Sequence, residues 1–340
     1  MKAISLALRL PIYKLYKYVE LPGVMPFSYV LLLSTRCNSH CKTCNLWTQE
    51  PKAELSVEQW LRIIESIGNT AAWVTVTGGE PFMIKDIDTL LAAIIQNINP
   101  EVICIPTNGT LPRLMKNKLG HVLRLRSGTQ FIINISLDEL GKRHDELRGF
   151  KGNFQKLKQS VAELKQLQKS YKNLKIGINT VISKANINRL YDIYSYVVQK
   201  LKPDDYIFET AQSRQELGTA ARKFEFSQSK LEAFLKFLVK SQKAQKKHGI
   251  SAFKAKSRLK YYASITDNTK KRCNAGILSC EIMPDGEVVN CGVKATALGN
   301  LSRFGYDIKA LWKAAAPRRN QLRKQRCNCQ LANIFYINRI

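Results

Sequence analysis

Between residues 28 and 210, short β-rich apolar runs alternate with amphipathic helical stretches, and this alternation constrains the fold more than any other feature. The runs with strand character are 29–33, 73–77, 102–106, 131–136, 175–181 and 206–209. Helical stretches lie between them near 56–67, 86–97, 112–125, 153–170 and 186–200, with helix starts at Ser56 and Asn153. The pattern predicts a parallel α/β architecture built from six repeating units.

Polar or thiol side chains follow the strands of this predicted sheet. The carboxyl ends of parallel strands meet at one edge of the sheet, and in parallel α/β barrels the active-site residues lie at this edge. We therefore expect these side chains to lie close together. The candidate site residues are Cys37, Cys41 and Cys44 after the first strand, Gly78, Gly79 and Glu80 after the second, Ser136 after the fourth and Glu209 at the sixth. The third strand end also offers Thr107, Asn108 and Gly109, the fifth offers Asn179 and Thr180, and Gln212 and Arg214 follow the sixth.

The three thiols stand within eight residues, in the spacing C-x3-C-x2-C. A [4Fe–4S] cube that only carries electrons takes four protein thiolates, so three with no fourth nearby would leave one iron open. Two other interpretations are half of a zinc site and buried small side chains, since Cys is among the most buried residue types.

This spacing resembles the signature of radical S-adenosylmethionine (SAM) enzymes, and the run Thr-Gly-Gly-Glu-Pro at 77–81 resembles that family's second motif. The resemblance implies a partial (βα)6 TIM-type barrel and a [4Fe–4S] cluster whose open iron binds SAM. It also implies that SAM is split to methionine and a 5′-deoxyadenosyl radical. The cluster and SAM then perform the difficult chemistry, and the protein binds and orients them. One departure is Thr43, because many members have an aromatic residue before the third Cys; here Trp47 stands close behind.

The resemblance also assigns roles around SAM. Gly78 and Gly79, which lack a Cβ, let the backbone approach the ligand, and Glu80 is expected to receive the methionyl ammonium. Ser136 and Arg148 match positions that contact the methionyl carboxylate and its surroundings, and the forked donors of Arg suit a carboxylate. The alternative for Arg148 is a surface cation near a helix start. Asp138 and His144 lie in a stretch that resembles a family motif, in which they look like loop-holding residues and not catalysts.

Glu209 is the candidate catalytic residue for substrate handling. It ends the sixth predicted strand, so its carboxylate is expected to point into the barrel mouth and to bind substrate or take a proton. The alternative is a salt bridge to Arg214 or to a neighbouring Lys.

The C-terminal Cys residues resemble those of SPASM and twitch domains, which carry auxiliary iron–sulfur clusters. The resemblance assigns Cys273, Cys291, Cys327 and Cys329 to one auxiliary [4Fe–4S] cluster, with a Pro-Asp-Gly hairpin turn at 284–286. Cys280 is interpreted as a buried bystander, and the choice between Cys280 and Cys329 stays open.

Four segments are expected: a basic arm over 1–22, the radical SAM core over 23–215, a Lys-rich helical connector over 216–265 and the small Cys-rich domain over 266–340. The arm is expected to pack across the bottom of the barrel, with contact to a membrane surface as the weaker alternative.

Nine Cys without a secretory signal favour metal or redox ligands in a reducing compartment, and no stretch reaches membrane-spanning length, so a cytoplasmic protein is expected. The net charge is +28, and residues 216–340 hold 25 Lys and Arg against 8 Asp and Glu. Such a charge favours acidic partners, including a flavodoxin- or ferredoxin-type electron carrier.

The expected activity is hydrogen abstraction from an unactivated carbon of a substrate, with a peptide or a protein side chain as the first candidate. One alternative keeps this chemistry for a small, phosphorylated or lipid-linked metabolite. The other is a nucleic-acid-binding protein stabilised by zinc or a cluster, which the charge permits although the chain has no recognised nucleic-acid module.

Overall fold

A computed structural model describes residues 2–49, 53–125, 128–244, 250–267 and 269–339, and the statements below refer to these ranges. The strands are β1 (Ser28–Leu32), β2 (Trp73–Thr77), β3 (Val102–Thr107), β4 (Gln130–Ser136), β5 (Leu174–Ile182), β6 (Asp205–Thr210), β7 (Lys271–Arg272), β8 (Ser279–Ile282), β9 (Glu287–Val289), β10 (Ala297–Asn300) and β11 (Arg326–Cys327). The α-helices are α1 (Lys2–Tyr16), α2 (Val57–Ile67), α3 (Ile87–Ala93), α4 (Pro112–Leu123), α5 (Lys142–Arg148), α6 (Asn153–Ser170), α7 (Leu190–Tyr196), α8 (Gln228–Ala244), α9 (Ile250–Ile265), α10 (Ile308–Ala314), α11 (Ala316–Leu322) and α12 (Ala332–Ile337).

Nine of the described strands form one sheet in the order β10-β9-β8-β1-β2-β3-β4-β5-β6. The strands β1 to β6 are parallel and lie side by side in chain order, which confirms the predicted α/β architecture of six units. The carboxyl ends are aligned, since Leu32 lies opposite Thr77 and Ser136 lies opposite Asn179. Strand β8 adds to the free side of β1 in parallel, and β9 and β10 follow in antiparallel order.

Strands β2, β4 and β6 alternate strictly between buried and half-buried residues along their length. In β4, Phe131, Ile133 and Ile135 are fully buried, whereas the alternate residues Asn134 and Ser136 are half-buried. Successive strand side chains point to opposite faces. Three of the half-buried residues, Thr77, Ser136 and Glu209, line the cavity at the carboxyl edge that is described below.

The predicted helix starts are present, with one difference in how they are capped. Ser56 forms a capping box with Gln59 at the start of α2. Helix α6 begins at Asn153, but its first amides are bound by Asp145, whose carboxylate accepts from Gly152 N at 2.7 Å and Phe154 N at 2.8 Å. Asp145 belongs to the short helix α5, which lies between β4 and α6 in the chain. The sequence pattern did not predict this helix.

The N-terminal arm packs against the amino-terminal end of the sheet and against the C-terminal residues. Tyr13 and Tyr16 are buried in an apolar cluster with Phe27, which directly precedes β1, and Tyr16 Oη accepts from Trp312 Nε1 at 3.1 Å. None of the described helices is long and apolar enough to span a bilayer. Contact of the arm with a membrane surface stays a prediction.

Candidate functional site

A cavity of about 180 Å³ opens at the carboxyl edge of the sheet, and the thiol loop after β1 forms one of its walls. Cys37, Cys41 and Cys44 all line it. Two hydrogen bonds hold this loop. The carboxylate of Glu54 accepts from Thr35 N at 2.8 Å, and Lys42 N donates to Leu147 O of α5 at 2.9 Å. The three thiols that the sequence singled out therefore line one cavity at this edge, and their role as cluster ligands stays a prediction.

Backbone N–H groups are directed at these sulfur atoms. Ser39 N donates to Cys37 Sγ and Leu46 N donates to Cys44 Sγ, both at 3.4 Å. Burial raises the pKa of the Cys37 thiol to about 11 and also raises the pKa of Cys41 and Cys44, although the nearby Arg148 lowers each of them. The thiols are thus protonated when free at neutral pH, and they would release protons on binding a metal.

The two glycines of the second loop are required by the protein's own backbone. A Cβ at Gly78 would lie 2.5 Å from Ser34 O, and one at Gly79 would lie 2.0 Å from Arg36 O. Gly79 N donates to Ser34 O at 2.8 Å and Glu80 N to Arg36 O at 2.9 Å, so the loops after β1 and β2 are joined. Both glycines line the cavity, and their lack of a Cβ brings the second loop against the thiol loop.

Glu80 lies behind the cavity wall and is almost completely buried. Its carboxylate accepts from Thr107 Oγ1 at 2.8 Å, from Asn108 N at 2.8 Å and from Phe82 N at 3.1 Å. Burial raises its pKa, while these hydrogen bonds act in the opposite direction. The carboxylate therefore holds the loop after β3. Oε1 accepts two of these bonds and Oε2 only one, so Oε2 keeps a lone pair that an ammonium group could use.

Ser136 and Arg148 line the cavity on the side of β4 and α5. The guanidinium of Arg148 donates from Nη1 to Asp138 Oδ2 at 2.9 Å, and its Nε is buried and has no hydrogen-bond partner within the described part of the chain. A buried donor of this kind fits an acceptor-bearing ligand such as a carboxylate. These contacts argue against the surface-cation interpretation of Arg148.

Asp138 and His144 act as loop-holding residues, as the sequence analysis expected. Asp138 Oδ1 accepts from Val181 N at 2.8 Å, and Asp138 N donates to His144 Nδ1 at 3.3 Å. Burial, together with the charge of Arg148, lowers the pKa of His144 to about 4, so the imidazole is neutral. Its Nε2 lies 2.7 Å from Asn153 Oδ1, which ties the loop to the start of α6.

Glu209 lines the cavity from the end of β6. Its carboxylate accepts from Asn179 Nδ2 at 3.2 Å and from Ala332 N at 3.0 Å. Within the described residues it forms no ion pair, because Arg214 pairs with Glu216. The described residues thus show no salt bridge from Glu209 either to Arg214 or to a neighbouring Lys, and a role in substrate handling stays a proposal.

The four C-terminal thiols assigned to an auxiliary cluster lie in one apolar cluster, which also contains Tyr13 and Tyr16. The β7–β11 pair brings the chain at Cys273 beside Cys327, and Cys273 N donates to Gln325 O at 3.2 Å. Cys329 N donates to Cys327 Sγ at 3.3 Å, and a hydrogen bond from the Cys329 thiol lowers the pKa of Cys327 to about 6.

Cys280 lies apart from these four thiols. It stands in β8 with its side chain fully buried in the main hydrophobic core, and burial, with the neighbouring Glu281, raises its pKa. This separation supports the choice of Cys329 over Cys280 as the fourth ligand, which remains a prediction.

Within the described ranges, no three side chains of the metal-binding types converge closely enough to form a preassembled ion site. Each thiol group would therefore have to close on a metal as the metal binds. The donor set fits an iron–sulfur cluster, because thiolate is the ligand that such clusters take and backbone N–H groups already point at the sulfur atoms.

Several cavity residues were not singled out as site residues by the sequence. Asn108, which the rule about strand ends names after the third strand, follows β3, and its Nδ2 donates to Ser39 Oγ at 2.9 Å and to Asn38 Oδ1 at 2.8 Å. No sequence pattern identified Leu331, a residue near the C-terminal end of the sequence that also lines the cavity. The remaining additions to the lining include Thr43, Leu46, Trp47, Pro106, Thr107, Gln212, Arg214 and Leu217.

The family model described as the radical SAM superfamily matches residues 31–195. The sporulation killing factor maturation protein SkfB of Bacillus subtilis (strain 168) is 26% identical over 291 residues, which is 83% of this chain and 64% of that protein. This chain thus spans less than two thirds of that relative. The GTP 3',8-cyclase of Aliarcobacter butzleri (strain RM4018) is 29% identical over 154 residues, 44% of either protein.

Among solved structures, SuiB of Streptococcus suis bound to the precursor peptide SuiA matches with a TM-score of 0.65 at 20% identity, covering 95% of this chain and 71% of that one. SuiB bound to S-adenosylmethionine matches with a TM-score of 0.64 at 20% identity over 88% of this chain and 68% of that one. At this level of identity the likeness shows the shared fold.

Proposed function

We propose that the chain is a radical SAM enzyme that cleaves SAM reductively at a [4Fe–4S] cluster held by Cys37, Cys41 and Cys44. The match of the radical SAM family model to residues 31–195 and the similarity to SkfB support this. When bound, the cluster and SAM supply the family's one-electron chemistry, which ends in abstraction of a hydrogen atom from an unactivated carbon. The observation that carries the proposal is one cavity lined by these three thiols and by the Gly78–Gly79 loop that packs against them.

The residues around the thiols have separate roles in this proposal. The backbone of Gly78 and Gly79 lies against the amino end of SAM, while Ser136 and Arg148 bind the methionyl carboxylate. The buried, unpartnered Nε of Arg148 supports the second assignment, since a carboxylate would give it an acceptor. Glu209 faces the same cavity and serves as the group that binds substrate or takes a proton.

Cys273, Cys291, Cys327 and Cys329 hold an auxiliary [4Fe–4S] cluster in this proposal. Their shared apolar surroundings and the N–H bond to Cys327 Sγ support it. The net charge of +28 supports reduction by an acidic electron carrier of the flavodoxin or ferredoxin type.

A peptide is the substrate class that we propose. The support is a relative that is named as the maturation protein of a killing factor and a structural match to a protein bound to its precursor peptide. A small phosphorylated metabolite is the second candidate, favoured by the match of the core to a GTP cyclase and by the positive charge. A nucleic-acid-binding protein held by zinc would be colourless and free of sulfide.

The test is anaerobic reconstitution with iron and sulfide, followed by dithionite and SAM, with 5′-deoxyadenosine measured by liquid chromatography. Wild type should form it, and replacing Cys37, Cys41 and Cys44 together by Ala should abolish it while iron remains bound at the C-terminal thiols. Cys104→Ala is the matched control, because Cys104 is a buried thiol in β3 outside both groups. Undiminished product in the triple variant would refute the ligand assignment.

A further inference from the structure

The segment that follows β6 contributes two hydrogen-bond donors, Gln212 and Arg214, to the cavity wall. Gln212 Oε1 accepts from Gln330 N at 3.2 Å, which fixes the amide so that Nε2 is the free end. Both Gln212 Nε2 and Arg214 Nε are buried and have no hydrogen-bond partner among the residues that the structure describes. A buried N–H group without an acceptor costs free energy. After a small side-chain rotation, an oxygen atom of a ligand could accept hydrogen bonds from both groups and remove this cost.

Charge decides which kind of acceptor fits this wall. The guanidinium of Arg214 is already balanced by Glu216, which it contacts from Nη2. Burial, together with the nearby Glu216, raises the pKa of Glu281 well above its usual value, so this neighbour is neutral. Glu209 adds a carboxylate to the same cavity. A further anion would therefore meet no uncompensated positive charge here, whereas a neutral oxygen would meet two free N–H donors.

The same segment joins the two thiol groups. Asn45 N, next to Cys44, donates to Leu217 O at 2.9 Å, and Glu216 N donates to Gly292 O, next to Cys291, at 3.1 Å. The side chain of Glu216 packs so closely on Gly292 that a Cβ there would overlap its carboxylate. A ligand oxygen bound by Gln212 and Arg214 would thus lie between the loops of both thiol groups.

We propose that Gln212 and Arg214 bind a main-chain carbonyl oxygen of a peptide substrate. This inference rests on the proposed function and deepens it by giving the peptide a point of attachment. A peptide bond offers a strong, neutral acceptor, and Glu209, three residues before Gln212, offers an acceptor for an adjacent main-chain N–H. Hydrogen bonds of this kind hold the main chain of the peptide beside the reacting carbon, and they do not depend on the identity of the peptide's side chains.

The test uses an mRNA-displayed library of random ten-residue peptides as the probe, incubated with the full chain after reconstitution and loading with SAM. The variants are Gln212→Leu and Arg214→Met. Arg258→Met is the matched control, since Arg258 is an equally buried, ion-paired arginine beside β6 whose side chain does not line the cavity. 5′-Deoxyadenosine formation without peptide is measured for every protein, which separates this inference from the proposed function.

Wild type and Arg258→Met are expected to recover peptides without an excess of Asp or Glu, and recovery should fall about tenfold in each test variant, the effect of one lost hydrogen bond. Arg214→Met leaves Glu216 without its ion-pair partner and could prevent folding. In that case the result for Gln212→Leu alone tests the inference. Equal recovery by Gln212→Leu would overturn the inference, as would enrichment of acidic peptides or the absence of any recovered peptide. Loss of 5′-deoxyadenosine formation in Gln212→Leu would assign this residue to SAM and would equally overturn it.

Discussion

The contact between Gly79 and the thiol loop can be tested with a single added methyl group. A Cβ at position 79 would lie 2.0 Å from Arg36 O, 2.4 Å from Arg36 C and 2.8 Å from Thr35 O. The nearest pair must separate by at least about 1 Å before the contact becomes tolerable. All three neighbours are backbone atoms of the segment that leads into Cys37, so no flexible side chain can absorb the change.

Gly79→Ala is therefore expected to displace the thiol loop and to lower the free energy of unfolding by roughly 3 kcal/mol, the upper end of overpacking costs. A displacement of about 1 Å at a reacting centre lowers rates on the order of a hundredfold. The assay measures the iron and sulfide bound after anaerobic reconstitution, 5′-deoxyadenosine formation with dithionite, and urea unfolding.

Gly120→Ala is the control for this substitution. Gly120 lies inside α4, and a Cβ there would have nothing within 4 Å. The same chemical change should raise the free energy of unfolding by roughly 0.5–1 kcal/mol and leave SAM cleavage unchanged. If Gly79→Ala bound a full complement of iron and cleaved SAM at the wild-type rate, the argument that this glycine positions the thiols would be refuted.

Three further predictions concern other residues. Glu209→Gln should leave SAM cleavage without substrate intact but lower product formation on the order of a hundredfold, measured once a peptide substrate is in hand; an unchanged rate would make Glu209 structural. In a background without the thiols of residues 37, 41 and 44, Cys329→Ala should lose the remaining iron and its Mössbauer signal whereas Cys280→Ala keeps both, and the reverse pattern would exchange the two assignments. Because the pKa of His144 falls from 6.5 to about 4 on folding, its neutral form stabilises the protein above pH 6.5, and this stability is lost as the pH falls towards 4. Urea unfolding at pH 7 and 4.5 should therefore show a smaller loss for His144→Asn than for wild type, and equal losses would contradict the assignment.

The sequence by itself determined the order and type of the core elements. Strands β2 and β4 begin within one residue of their predicted starts, because alternation of apolar and polar residues is a local property of the chain. The helix after Ser56 was equally predictable, since its capping box spans four consecutive residues. The thiol spacing is local in the same way, so Cys37, Cys41 and Cys44 are recognisable as one group from their positions along the chain.

Only the tertiary structure decided which groups meet across long separations in the chain. Glu209 accepts from the backbone of Ala332, and the wall beside it is completed by Leu331 and by Gln212, which Gln330 orients. These contacts depend on how the C-terminal chain folds back over the end of β6, and no periodicity or spacing encodes that path. The same is true of Glu80, since two of the three donors to its carboxylate, Thr107 Oγ1 and Asn108 N, belong to the neighbouring strand end and come within reach only when β2 and β3 pair.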